Sequence, residues 1–238
     1  MQILRLWRYP VKSLQGEQLG EADVTPDGLA GDRRYGIVDV ARGTVLTGRR
    51  EPRLLFASAS LSADGALTIT LPDGSVARDD DALSSWLGKR VQLRAASPDF
   101  AAKYETQLVI EDDPNAEWFA WEGPAGRFHD STRTVVSLVT TTTMRDWDER
   151  RFRANVVLEG DGEDELVGTT VRLGSVELEI TKPIDRCVMV TREQPEGIAR
   201  ELDVLKTIHA QRAGNLAIGA LVTTPGRIAV GDELLPRD

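Results

Sequence analysis

The sequence predicts a β-rich α+β fold in which short strands curl into a barrel and a few helices cover its ends. Three observations carry that expectation: apolar and hydroxyl side chains alternate in short runs, Gly and Pro punctuate those runs, and few segments show helical spacing. Taken in order, Ala66-Leu67-Thr68-Ile69-Thr70-Leu71 alternates as a strand, and Pro72-Asp73-Gly74-Ser75 follows as a turn, which predicts a hairpin. Asp79 to Asp81 can cap a helix through Leu83, Trp86 and Leu87 that Gly88 ends. The hydroxyls of Thr140 to Thr143 offer caps for a second helix, Met144 to Arg151. Residues 151–158 read as a strand. Val171 to Leu173 and Val176 to Ile180 flank Gly174-Ser175 as a tight hairpin. Leu202, Leu205 and Ile208 recur at helical spacing within 198–211, and Ile228-Ala229-Val230 is expected as a final short strand between turns.

At 238 residues the chain can hold one large domain or two small ones, with 41% hydrophobic and 28% charged residues as in ordinary globular proteins. The boundary falls in the loop-rich stretch 95–116, with a cut near 105 that gives units 1–105 and 106–238. Charges interrupt the first eight residues, where a secretion signal needs an apolar run, and no run of about 18 apolar residues exists, so a cytoplasmic protein without membrane contact is expected. A single cysteine excludes an internal disulfide and Cys-rich zinc sites. The net charge of −9 argues against nucleic acid as a partner. Up to Arg53, however, nine Lys and Arg stand against seven Asp and Glu, a balance that suits a compact anion as well as simple solvation.

Three groups of residues invite chemistry. If 151–158 is a strand, Arg151, Arg153 and Asn155 share one face; guanidinium forks match phosphate oxygens, and an amide can pair with a phosphate or a heterocycle edge. A solvated face paired with acids such as Glu149 is the plainer reading. Tyr9-Pro10-Val11-Lys12-Ser13, Gly31-Asp32-Arg33-Arg34-Tyr35 and Leu46 to Arg53 add an ammonium, a hydroxyl and further cations on stiffened corners. Cys187 is the third. A lone cysteine is ordinarily inert core, but Lys182, Arg186 and Arg192 suit a sulfur that attacks electrophiles or binds a soft metal.

Taken together, Tyr9-Pro10-Val11-Lys12-Ser13, Gly28-Leu29-Ala30-Gly31-Asp32-Arg33, Leu46 to Arg53, Phe152-Arg153-Ala154-Asn155-Val156, Asp185-Arg186-Cys187 and Pro225 to Asp232 resemble the MOSC family (molybdenum cofactor sulfurase C-terminal domain) in segments and in order. The resemblance is to the form that carries a smaller N-terminal β-barrel domain, as the amidoxime-reducing members and their bacterial relatives do. It implies a molybdenum-pterin cofactor, with Cys187 as metal ligand and catalytic centre. Lys12, Ser13, Arg33, Arg153 and Asn155 are implied as cofactor contacts, joined by Thr140 or a neighbouring hydroxyl. The implied activity is reduction of N-hydroxylated compounds, amidoximes or hydroxylamines. Electrons would come from a separate flavin or iron–sulfur reductase, because no second cysteine offers a cluster ligand and no dinucleotide fingerprint is present. A cofactor carrier, or a persulfide carrier at Cys187, is the alternative. Arg34 stands where relatives tend to have an aromatic residue, which implies a differently shaped substrate pocket.

Overall fold

The computed structural model describes residues 1–107 and 115–237. Its largest sheet has eight strands in the order Leu234–Pro236, Thr170–Leu173, Val176–Asp185, Asn215–Thr224, Val136–Thr140, Val156–Glu159, Gln2–Arg8 and Glu17–Leu19. The sheet returns to its own first strand: Ile3 N donates to Asp232 O at 2.9 Å, Gly231 N to Ile3 O at 2.9 Å and Leu234 N to Met1 O at 2.8 Å. This closure makes the barrel that the alternating runs predict, and it removes most open edges. Inward side chains, among them Ile3, Leu6, Leu138, Val156, Leu158, Val171, Leu178 and Ile218, are almost fully buried. Each such Val, Leu or Ile contributes about 1.5–3 kcal/mol by leaving water. The outward positions Glu177 and Glu179 keep the period of two.

One pair of barrel strands is parallel, Val136–Thr140 against Val156–Glu159. A parallel step needs a crossover of a dozen or more residues, and residues 141–155 supply it. The end of that crossover carries Arg151, Arg153 and Asn155 back to the start of the second strand. Here the sequence expectation is corrected. Glu149–Arg151 is a turn of 3-10 helix, Arg153 has φ of 54°, and the strand begins only at Val156. The three side chains therefore share no strand face, because the crossover must turn before it can pair.

The N-terminal segment forms smaller sheets beside the barrel. Tyr35–Asp39 lies between Thr44–Val45 and Val91–Ala95, Ser58–Leu61 pairs with Leu67–Thr70, and Ala101–Thr106 pairs with Phe119–Ala125. Val11, Leu14, Ile37, Leu54, Ile69, Leu83 and Leu87 fill the space between them. Two sutures join this block to the barrel. Gly226–Ala229 pairs antiparallel with Glu21–Thr25, and Gly28, at φ of 100°, lies so close to the Val135 carbonyl that a Cβ would stand 2.3 Å from its oxygen. Only glycine fits there.

The first helix, Asp80–Leu87, follows expectation: the Asp79 side chain accepts from Ala82 N and Gly88 ends it in the left-handed region. The second, expected over Met144 to Arg151, lies earlier and is shorter, Thr141–Met144, because Arg145 at φ of 58° ends it where the expected helix was to begin. The third spans Leu202–Arg212. The strand Leu67–Thr70 finds its partner upstream, in Ser58–Leu61, while the turn at 72–75 leads back only to a single bridge between Thr70 and Val76. The hairpin around Gly174 forms as expected. Gly226–Ala229 is not the last strand, because Leu234–Pro236 follows and pairs with Thr170–Leu173. No helix among the described residues is long and apolar enough to cross a membrane.

Candidate functional site

A cavity of about 560 Å³ opens where the barrel meets the N-terminal block, a size in the range of small-molecule sites. Its wall includes Lys12, Ser13, Arg33, Arg153, Asn155 and Cys187, drawn from sequence positions far apart and brought together by the crossover and the sutures. Cys187 is exposed and stands at the start of the 3-10 turn Val188–Thr191, just past the end of the long strand Val176–Asp185.

The cations divide by what they touch. Arg33 is anchored: Nη1 pairs with Asp32, Nη2 donates to the Arg153 carbonyl at 2.9 Å, and its guanidinium lies 4.8 Å from the Tyr9 ring centroid. Arg153 is presented. Its guanidinium lies 4.3 Å from the same Tyr9 ring, and both terminal nitrogens are buried without a hydrogen-bond partner. Burial pulls its pKa down to about 10, still well above neutral pH. Arg186 is held by its own donors, Nε to the Leu216 carbonyl at 2.7 Å and Nη1 to the Phe152 carbonyl at 2.9 Å, while buried Nη2 has no partner. Burial likewise pushes it to about 10, partly offset by the neighbouring Cys187 and Asp185. Buried guanidinium nitrogens without acceptors are costly, and an anion in the cavity would satisfy them.

Lys12 is buried, and its Nζ donates to Asp130 Oδ1 at 2.6 Å and to the Phe128 carbonyl at 3.0 Å. Burial draws its pKa below the usual lysine value, with Asp130 opposing. Ser13 takes a left-handed backbone, φ 70°, and its Oγ accepts from Gly48 N at 3.0 Å, leaving its own hydroxyl hydrogen to donate. Asn155 is mainly a clamp: Oδ1 accepts from Ser137 N and Ser137 Oγ at 3.1 and 3.0 Å, and Nδ2 donates to the Trp7 carbonyl at 3.3 Å. One amide hydrogen remains for a ligand. Arg151 lines the cavity too, but its guanidinium donates to the carbonyls of Val190, Arg192 and Ala199 and so braces the loop after Cys187.

Thr140 is a correction. It is fully buried away from the cavity, its Oγ1 accepts from Thr143 N as a helix cap, and it donates to Glu163 Oε2 at 2.6 Å. The neighbouring hydroxyls that do line the cavity are Ser131, Thr134 and Ser137. The barrel strand Val136–Thr140 runs away from the site, so only residues at its near end reach it. Arg34 also lies apart, against the Tyr35 ring at 5.8 Å. Sequence reasoning missed Tyr104, Asp130 and Thr134 and gave His129 no place in a site. The only signal for His129 and Asp130 was the polar run His129-Asp130-Ser131, which no periodicity marks, and Tyr104 and Thr134 had none.

A second hollow, of about 650 Å³, is bounded by Arg5, Trp7, Trp147, Glu149, Arg150 and Glu196. Its charges answer one another: Arg5 and Trp7 Nε1 bind Glu149, and Arg150 pairs with Asp148 and Glu196. The first cavity, with unsatisfied guanidinium donors and an exposed thiol among its lining residues, is the candidate site.

Fold and site together define a barrel protein with a cation-lined cavity and an exposed thiol on its wall. Family comparison agrees in detail: residues 1–120 match the MOSC N-terminal beta barrel domain and residues 126–235 the MOSC domain. The chain belongs to the MOSC family. Among its relatives, mitochondrial amidoxime-reducing component 1 of Mus musculus is 25% identical, over 98% of this chain and 81% of the relative. The Homo sapiens protein of the same name is 24% identical over 98% and 82%. The molybdenum cofactor sulfurase of Drosophila mojavensis is 24% identical over 93% of this chain, which spans only 32% of that longer protein. Among solved structures, the YUAD protein of Bacillus subtilis superposes with a TM-score of 0.48 at 14% identity, covering 98% of this chain and 93% of that one.

Proposed function

We propose that this cavity binds a molybdenum-pterin cofactor and that the chain reduces small N-hydroxylated compounds, amidoximes and hydroxylamines, to amidines and amines. One observation carries the reading: the exposed thiol of Cys187 shares a cavity with the buried, unpartnered guanidinium nitrogens of Arg153 and Arg186. A soft sulfur ligand beside an anion seat fits a sulfur-coordinated metal carried on a phosphorylated pterin. Among the described residues no group of three or more His, Cys, Asp or Glu could hold a metal. A metal at Cys187 would thus take its other ligands from the group that carries it.

In this reading Arg153 and Arg186 hold the phosphate, and Ser13 and the free amide hydrogen of Asn155 bond to its oxygens or to the pterin edge. Arg33 fixes the backbone that presents Arg153, and Lys12 adds charge from behind Asp130. When bound, the cofactor supplies two-electron, oxygen-accepting redox chemistry. Overall, an N–OH group takes up two electrons and two protons and yields N–H and water. The electrons come from a separate flavin or iron–sulfur reductase. The relatives named for amidoxime reduction, matched over most of both chains, support the choice of substrate class.

The test is reduction of benzamidoxime by protein produced where the cofactor is made, with a flavin or iron–sulfur reductase as donor. The expected result is benzamidine, formed in proportion to bound molybdenum. Metal-loaded protein that reduces no N-hydroxylated compound with any donor would contradict it. The exposure of Cys187 also suits the second reading, a cofactor or persulfide carrier, and a mass gain of one sulfur atom on Cys187 would favour persulfide transfer.

A further inference from the structure

Three residues that line the cavity each carry a neutral polar atom that is buried without a hydrogen-bond partner: His129 Nε2, Tyr104 Oη and Thr134 Oγ1. They differ in kind from the guanidinium seat, since a phosphate draws on charged donors. Lys12 organises two of them. Its Nζ binds the Phe128 carbonyl and the Asp130 carboxylate, the residues on either side of His129, and lies 4.6 Å from the Tyr104 ring centroid. His129 is only 6% exposed. Burial, helped by Arg33, Lys12 and Arg127 and opposed by Asp32, pushes its pKa down to about 4, so the imidazole is neutral at pH 7.

The acids on the same wall are already answered. Asp130 pairs with Lys12, Asp185 with Lys182 at 3.4 Å, and Glu105 with Arg42 and Arg50. A phenol can donate and accept, and a neutral imidazole nitrogen does one or the other. Together they match a small uncharged group that also donates and accepts.

We propose that His129 and Tyr104 form a neutral polar subsite that takes the uncharged N–O–H end of the substrate, beside the cationic seat for the cofactor. The subsite rests on the functional reading above. It separates substrate from product by one atom, the oxygen that the reduction removes. The product loses the hydroxyl that the subsite grips. Tight oxime binding and ready amidine release follow from the same residues.

The test is calorimetric titration of benzamidoxime and benzamidine into cofactor-loaded, oxidised protein without an electron donor, using wild type, His129→Gln, His129→Leu and Tyr104→Phe. Gln places an amide nitrogen or oxygen near the position of Nε2, and Leu removes the polar atom. Wild type should bind the oxime at least about tenfold more tightly than the amidine, and His129→Leu and Tyr104→Phe should each weaken the oxime by roughly tenfold. His129→Gln should stay within about threefold of wild type, with molybdenum and pterin content unchanged in all four. If His129→Leu does not fold, Tyr104→Phe and His129→Gln decide. Unchanged oxime affinity in the Leu and Phe variants would overturn the subsite. So would loss of cofactor from variants with wild-type melting temperatures, since the atoms would then serve the pterin. A wild type that holds no cofactor would overturn the functional reading and the subsite together, whereas a loaded, amidoxime-reducing wild type with indifferent variants sinks the subsite alone.

Discussion

Arg33 Nη2 donates to the backbone carbonyl of Arg153 at 2.9 Å, and the two guanidinium groups rest against the same Tyr9 ring. Asp32 completes the arrangement by pairing with Arg33 and accepting from Tyr9 N at 2.7 Å. The segment Gly28 to Arg33 thus reaches across the domain junction to hold a turn in which Arg153 adopts φ of 54°. Two arginines that look alike in the sequence have opposite tasks: one secures the backbone, and the other is left open to a ligand.

Opposite tasks predict opposite stability changes. Arg153→Met removes a buried charge without hydrogen-bond partners and should leave the apoprotein unchanged or more stable by about 1–3 kcal/mol while lowering bound pterin sharply. Arg33→Met leaves Asp32 buried without its partner and should destabilise by about 3–5 kcal/mol. Denaturant unfolding of the two apoproteins measures both; a matched loss of stability would show that the division is wrong.

Thr140 tests where the cavity ends. Thr140→Val strands the Glu163 carboxylate, which is almost fully buried and whose Oε1 already lacks a partner. A stability loss of about 1–3 kcal/mol is expected, with pterin and molybdenum content unchanged. Cofactor loss at unaltered melting temperature would restore Thr140 to the binding set.

His129 makes stability depend on pH. Its folded pKa of about 4 lies below the ordinary histidine value of 6.5, so between these values the unfolded chain binds the extra proton and stability falls as pH falls. The imidazole should remove on the order of 3 kcal/mol between pH 7 and pH 4. His129→Gln lacks this loss, so the gap between the stability curves of variant and wild type should change by that amount across the window. Parallel curves would mean that His129 protonates as freely in the folded protein as in the unfolded chain.

The barrel was legible because strands with one buried face must alternate, and residues 170–180 do so around a glycine turn. The first helix was legible because Asp79 and Gly88 are local signals whose partners lie within a turn. The chain around Arg153 was misread as a strand because alternation of Arg, Phe, Arg, Ala and Asn satisfies the same period without a pairing partner. What decides it is the parallel crossover, a tertiary demand. The cavity brought together Lys12, Ser13, Arg33, Arg153, Asn155 and Cys187, all of which sit beside backbone corners with recognisable sequence. Tyr104 and His129 were not legible, since they become site residues only when Lys12 folds over the segment 128–130. Thr140 was misplaced because a hydroxyl near a helix start serves as a cap as readily as a ligand contact.

The central claim is that the Cys187 sulfur holds a metal. Molybdenum and pterin analysis, with absorption spectra, of wild type beside Cys187→Ser tests it most directly when both are produced where the cofactor is made. Wild type should carry about one molybdenum per chain, and the serine variant should lose the absorption that arises from a thiolate bound to the metal. Equal metal content with identical spectra in the two proteins would contradict the assignment.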